Sequence, residues 1–383
     1  MKPHVIVIGA GFTGVAIAHD LALRGFAVTV VERGPIANGT SGRTNGILHS
    51  GGRYAVNDRE SAIECIRENQ VLRRIVPDVI EPNGGLFVAI NDEDMAYREK
   101  FIEGCTACGI PIQELNPREA LRLEPNLNPN ILTAITVPDG TFDPLRLAMA
   151  FAATARSNGA VFNLYTDVID LLSDGQGNIK GVKALNRATN QILNIEGDIV
   201  VNATGAWVGQ ITAKVGINVP ITLSPGVMVA YDNRLTNRNI NWLNVPGDGD
   251  VVMPQRRLVV VGTTSFVVKS PDYVPVERSH IQLLFKRGTT LVPKLKEARE
   301  RGVWVATRPL IGGVGPERSI SRTFKAYDHK ETDNVEGLVT ITGGKATTLR
   351  LMAEKTVDLI CKKFNLNIPC TTAETPLDRK SVV

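Results

Sequence analysis

Residues 5–14 read Val5-Ile6-Val7-Ile8-Gly9-Ala10-Gly11-Phe12-Thr13-Gly14. The β-branched run ahead of the first glycine predicts a buried parallel strand. Residues 15–24 predict a helix that stops at Gly25, and residues 27–31 predict a second strand closed by Glu32. A strand, a glycine loop, a helix and a strand ending in an acid, all within about 30 residues, form a dinucleotide-binding pattern. Gly9 permits the tight turn, Gly11 lets backbone approach a pyrophosphate, and Gly14 lets the helix pack on the strand. The helix N-terminus offers unpaired N–H groups and a partial positive charge to phosphate. Glu32 is placed to accept hydrogen bonds from a ribose diol. A glycine-rich turn in an ordinary strand–helix–strand unit leaves that acid unexplained. The pattern alone does not separate FAD from NAD(P).

The rest of the composition is that of an ordinary globular protein. The chain has 383 residues, 43% apolar and 21% charged, which excludes global disorder and collagen or coiled-coil architectures. At roughly 150 residues per domain, two or three domains are the starting expectation. Lys and Arg number 43 against 39 Asp and Glu, a net charge of +4. With no basic block in the sequence, nucleic acid is not an expected partner. Five cysteines are too few for a disulfide framework, and their odd number fits a reducing compartment, so a cytoplasmic location is expected. Residues 2–18 imitate a short signal peptide, but the dinucleotide pattern accounts for their glycines better. No apolar run reaches the roughly 18 residues of a membrane span. Cys105-Thr106-Ala107-Cys108 has metal-like spacing but no second pair, so no metal site is expected.

Further along, residues 40–46 form a polar, glycine-rich loop, followed by His49-Ser50-Gly51-Gly52-Arg53-Tyr54. Residues 61–74 have helical spacing, with Ile63, Ile66 and Val71 on the apolar face. Residues 85–90 predict a strand and 95–108 a helix. Asp143-Pro144 marks a helix start running to about Arg156. A strand pair turns at residues 174–178. Residues 219–308 predict mostly short strands, with one helix near 279–291. Residues 338–348 then lead a strand through Gly343-Gly344 and Lys345 into a final helix over 349–364, a second strand–glycine–helix unit.

Several of these stretches resemble the flavin-dependent glycerol-3-phosphate dehydrogenases, within the D-amino-acid-oxidase-like flavoproteins. They are GAGFTG (9–14), TSGRTNGILHSGGRY (40–54), VPDGTFDPLRL (137–147), VNATGAW (201–207), GTTS (262–265), Arg308-Pro309-Leu310, Ser321-Arg322 and ITGGKATTLRLM (341–352). The similarity is strongest to the large, catalytic subunit of the anaerobic type. From this similarity, together with the alternation of segment patterns along the chain, an α/β fold is expected in which a Rossmann-like FAD-binding domain (1–78, 141–215 and 333–366) is interleaved with a mixed-sheet substrate-binding domain (79–140 and 216–332), with a tail over 367–383.

The resemblance also implies FAD as the dinucleotide. Its contacts would be Gly9, Gly11, Gly14, Glu32, Arg33, Thr40, Ser41, Gly46, Gly205, Gly344 and Thr347. The implied reaction is oxidation of sn-glycerol 3-phosphate at C2 to dihydroxyacetone phosphate, with hydride passing to flavin N5 and electrons onward to a quinone. Arg53, Tyr54, Arg308, Arg322 and Lys345 would line the substrate side. A phosphate dianion suits such a cationic set, because Arg offers a permanently charged fork to its oxygens. Lys345 after two glycines would also stabilise negative charge on reduced flavin, and His49 is the candidate acceptor of the hydroxyl proton. Trp207 either covers the flavin or packs. Ala346 departs from the family, which usually carries a larger apolar residue there. A cysteine-rich, iron–sulfur-binding extension found in many such subunits is missing from this sequence. The onward electron path is therefore expected through a partner subunit, by direct contact with a quinone, or to another acceptor, with peripheral membrane attachment through a partner left open. Two other readings stand beside this one: a flavin oxidase or dehydrogenase of a 2-hydroxy acid or amino acid, and a non-catalytic FAD-binding subunit.

Overall fold

A computed structural model describes residues 2–312 and 320–378. Residues 313–319 of the expected substrate domain and 379–383 of the expected tail lie outside the described residues. Strand β1 (His4–Ile8) is buried almost throughout and pairs in parallel with β2 (Ala27–Val31) on one side and the strand Ile199–Asn202 on the other. These belong to a six-stranded sheet that adds Val161–Asn163 beyond β2, then Leu338–Gly343 and Phe324–Asp328 beyond Ile199–Asn202. Every pairing is parallel except the last.

Helix α1 (Phe12–Leu23) lies between this sheet and the helices Pro144–Ser157 and Leu349–Lys363. Neighbours on both sides explain why its residues from Val15 to Leu21 are almost completely buried. It starts three residues before the sequence-predicted start, because Gly14 packs inside its first turn. Gly25, at φ +78°, stops it, with Gly25 N–H donating to Ala22 O and Phe26 N–H to Leu21 O. The Asp143 side chain accepts from Arg146 N–H at the start of Pro144–Ser157, as the Asp-Pro pair predicts.

A second, eight-stranded sheet runs in the order 300–311, 221–231, 258–262, 251–255, 239–242, 85–89, 133–137 and 113–115. Two of its strands correct the expectation of short segments: Ile221–Tyr231 spans 11 residues and Glu300–Ile311 spans 12, paired antiparallel along their length. The structure tolerates Pro309 on the edge strand and Pro225 where the strand 258–262 has ended. A second correction concerns residues 324–328. The sequence pattern groups them with the substrate part of the chain, but they pair with Leu338–Gly343 in the first sheet. A small sheet of residues 47–48, 140–142 and 80–81 joins the two segments of sequence that carry the 40–54 and 137–147 motifs. Among the described residues, no helix is long and apolar enough to cross a membrane.

His19 sits in α1 with its ring fully buried, 5.4 Å from the Phe151 ring in an edge-on contact, and neither ring nitrogen has a hydrogen-bond partner. Burial lowers its pKa from 6.5 to about 4. The unfolded chain therefore takes up the proton first as the pH falls. His19's contribution to stability is complete above pH 6.5 and drains away towards pH 4, by up to about 1.4 kcal/mol per pH unit. His19→Leu is expected to flatten the decline in melting temperature between pH 6.5 and 4, as read by thermal denaturation at a series of pH values.

Candidate active site

The site is built at the carboxyl edge of the first sheet, where β1 and its neighbours end. Gly9, at φ +101°, makes the turn into α1, and a Cβ at Gly14 would penetrate the Gly9 carbonyl, so only hydrogen fits there. Gly11 is different. A Cβ there would meet only the Ser41 side chain, with its hydroxyl at 3.1 Å, and Ser41 Oγ accepts the N–H of Phe12 at 2.9 Å. Glu32 is buried at the end of β2, where its two carboxylate oxygens accept Ala10 N–H (2.8 Å) and Gly34 N–H (2.9 Å). A Cβ at Gly205, where φ is +61°, would meet nothing within 4 Å, so the space over this strand end is open.

Other predicted cofactor residues also make contacts within the protein. Thr40 Oγ1 donates to Thr307 O at 2.7 Å. Gly46 is glycine because a Cβ would run into Phe142 O and the Gln255 amide. The Arg33 guanidinium stacks 4.4 Å from the Trp207 ring centre, while Trp207 Nε1 donates to Asp272 Oδ1 at 2.7 Å. Trp207 therefore packs against Arg33 and the loop at Gly39. Gly344, at φ +74°, abuts Met352, and buried Thr347 accepts the backbone N–H of His49 at 3.0 Å.

The TGGK turn carries Lys345 into a cluster with the 49–54 loop. Lys345 Nζ donates to Arg322 O at 2.8 Å, lies 3.4 Å from Glu64 Oε2 and sits 5.4 Å from the Tyr54 ring centre. The Tyr54 ring meets the His49 ring edge-on at 5.6 Å. Burial, with the nearby charges of Arg53 and Lys345, lowers the His49 pKa from 6.5 to about 3, so the imidazole is neutral at physiological pH. Burial raises the Tyr54 phenol, keeping it protonated. Ala346–Thr348 form a single 3₁₀ turn that leads directly into the final helix, with Thr348 N–H donating to Lys345 O at 3.0 Å.

Arg53 and Arg308 are more constrained than their motifs suggest. Arg53 Nη2 donates to Gly247 O (2.9 Å) and pairs with the buried Asp250 (3.3 Å), which also binds Arg287. Arg308 donates from Nε to Ser224 O (3.0 Å) and from Nη2 to Pro225 O (3.0 Å) and Thr264 O (2.9 Å), with the hydroxyls of Ser224, Thr263 and Ser265 at 3.3 Å. Its guanidinium thus knits the two longest strands to the GTTS segment.

Sequence reading missed helix α2 (Arg59–Ile75) as part of the site. Its N-cap Asp58 accepts Arg322 N–H (2.8 Å) and the Ser321 hydroxyl (3.0 Å). Glu64 faces Lys345, and buried Glu68 binds Arg350 (2.9 Å). Asn69 Nδ2 donates to Leu48 O, His49 O and Pro138 O, at 3.3, 3.2 and 3.0 Å. Arg73 Nη2 reaches Asp139 O (2.8 Å), and the Asp139 carboxylate accepts Ser50 N–H (2.7 Å). The signal was present as Asp58, Ser61, Glu64, Glu68 and Asn69 at helical spacing, a polar stripe beside the apolar one.

A family model described as FAD dependent oxidoreductase matches residues 4–359. A relative from Haloferax volcanii, named as one of the subunits of the anaerobic glycerol-3-phosphate dehydrogenase, is 43% identical over 98% of this chain and 66% of its own length. The corresponding relative from Escherichia coli K12, which carries the same enzyme name, is 38% identical over 97% and 69%. The chain belongs to the FAD-dependent oxidoreductase family. Within this family, the solved glycerol-3-phosphate dehydrogenase of Bacillus halodurans, complexed with FAD, superposes with a TM-score of 0.75 at 26% identity, over 98% of this chain and 68% of that one. The chain spans about two thirds of the length of these relatives.

FAD is the cofactor, and the residues present fit it. A helix start without a Cβ at Gly11, the anchored acid Glu32 and the open space at Gly205 form a continuous set along one strand edge. Two of the three fingerprint glycines separate experimentally. Gly11→Val is expected to fold, with an unchanged far-ultraviolet circular dichroism spectrum, but to purify without FAD. Gly14→Ala is expected to fail to fold, since its Cβ has no room against the Gly9 backbone. Circular dichroism and the FAD-to-protein absorbance ratio check both.

Proposed function

We propose that this oxidoreductase oxidises sn-glycerol 3-phosphate at C2 to dihydroxyacetone phosphate and passes the electrons to a quinone through partner subunits. The observation that carries the reading is the convergence of Lys345, Tyr54 and His49, with Arg322 held beside them, at the start of the final helix. The names of the relatives, including their designation as subunits, support it.

In this reading Gly9, Gly11, Gly14, Glu32 and Ser41 would hold the dinucleotide end of FAD, and Gly205, Gly344 and Thr347 would contribute to the rest of its binding site. Bound FAD supplies the two-electron acceptor. Arg308, Arg322 and Lys345 bind the phosphate dianion, with Arg53 and Tyr54 on the same wall, and orient C2 for hydride loss. Neutral His49 has a lone pair to take the hydroxyl proton. The Arg53 and Lys345 charges that depress its basicity are the ones a bound dianion offsets, so substrate itself raises the proton affinity of His49. Lys345 and the helix N-terminus would offset negative charge at this end of the site when FAD is bound.

A steady-state assay with a dye acceptor tests the proposal. Turnover is expected with sn-glycerol 3-phosphate and not with a panel of 2-hydroxy acids and amino acids; turnover of the panel alone would overturn it. Arg308→Ala is expected to lower kcat/KM by about 2–3 kcal/mol, mostly through KM, because the dianion loses a charge-assisted partner. It should also lower the melting temperature, since the carbonyls of Ser224, Pro225 and Thr264 lose their donor.

A further inference from the structure

Helix α2 brings a carboxylate to the ammonium that the TGGK turn presents, and no motif in the sequence marks that carboxylate. The Lys345 side chain is 6% exposed and that of Glu64 16%, so little water screens the 3.4 Å pair. The ammonium has two fixed acceptors, Glu64 Oε2 and Arg322 O, and the Tyr54 ring on a third side. Arg322 is itself tied to α2, through its N–H on Asp58. Glu64 and Asp58 stand six residues apart at the start of the same helix, so a single rigid element sets both the lysine and the arginine segment. Without Glu64, a long and flexible lysine side chain would retain one strong acceptor, the Arg322 carbonyl, and several rotamers.

Resting on the proposed function, we propose that Glu64 is a positioning residue: its carboxylate fixes the Lys345 ammonium beside Tyr54 and offsets its charge, trading affinity for the substrate's phosphate against correct placement of the cation for turnover. The two effects run in opposite directions. Removing the negative charge leaves the pocket more positive, so any phosphate anion binds more tightly. Releasing the ammonium from its fixed position slows the chemical step. A residue that merely holds the fold together would weaken binding, turnover and thermal stability in parallel.

The test uses the FAD-loaded chain and the variants Glu64→Gln and Glu64→Asp. Three quantities are read: the dissociation constant of inorganic phosphate from its perturbation of the flavin spectrum, kcat and KM for sn-glycerol 3-phosphate, and the melting temperature. Glu64→Gln is expected to bind phosphate about three- to tenfold more tightly, to lower kcat about tenfold with a KM equal to or below that of the wild type, and to melt within a few degrees of it. Glu64→Asp keeps the charge and is expected to restore wild-type phosphate affinity and part of kcat. An unchanged kcat in Glu64→Gln, or weaker phosphate binding together with a lower melting temperature, overturns the proposal. Should the glutamine variant fail to fold, the aspartate variant decides. A lower kcat at unchanged phosphate affinity supports positioning, and unchanged kcat refutes it. The phosphate measurement needs no turnover. A wild-type protein that binds phosphate but does not turn over the substrate therefore refutes the proposed function while the charge effect of Glu64 is still read.

Discussion

The contact between the first turn of α1 and the loop after β1 fixes the helix start at the sheet edge where the dinucleotide is proposed to sit. Only a hydrogen atom fits between Gly14 and the Gly9 carbonyl, so the helix begins immediately beyond the strand and its N-terminus faces the carboxyl edge of the sheet. β1 is central in that edge, with β2 on one side and Ile199–Asn202 on the other. Those neighbours deliver Glu32 and Gly205 to either side of the helix start. Burial of α1 between sheet and helices leaves it no freedom to retreat, and this holds its N-terminus in place.

In the proposed site, helix α2 does for the reactive end what α1 does for the dinucleotide end. Its polar side chains bind the loop at His49, the turn at Pro138 and Asp139, the segment at Ser321 and Arg322, and the helix start at Lys345 and Arg350. These segments lie far apart in sequence, yet one rigid rod of 17 residues reads all of them. Such an arrangement allows a chain that alternates between two sheets to assemble a single site without a dedicated loop for each residue. Burial of the partners makes the clamp specific: an unpaired Asn69 or Glu68 in the interior would cost more than a surface contact returns.

Local signals were legible. The strand–glycine–helix unit at 5–32, its repeat at 338–364, the Asp143 cap and the Gly25 stop all arise within a few residues, from φ requirements and side-chain caps that the sequence displays directly. The family motifs likewise pointed to FAD, the cofactor of the family to which the chain belongs. What escaped depends on distant partners. The strands that carry Pro225 and Pro309 were expected to be short, and only the missing ladder partner and the free edge explain how they run long. Residues 324–328 look like part of the second sheet until their antiparallel pairing with 338–343 is seen. The crowding of Gly46 by Phe142 and Gln255 is another contact with distant partners that its motif does not display. Glu64 and Asn69 are ordinary polar residues on an amphipathic helix, and only the tertiary contact gives them a role.

Central to this account is the idea that one chain brings FAD and a phosphate-bearing alcohol together in a geometry ready for hydride transfer. The most direct measurement is the anaerobic visible spectrum of the purified, FAD-loaded chain before and after one equivalent of sn-glycerol 3-phosphate, with no partner protein and no acceptor present. The account predicts that the oxidised flavin band bleaches. A band that persists at full FAD occupancy, while a 2-hydroxy acid or an amino acid removes it, would contradict the account.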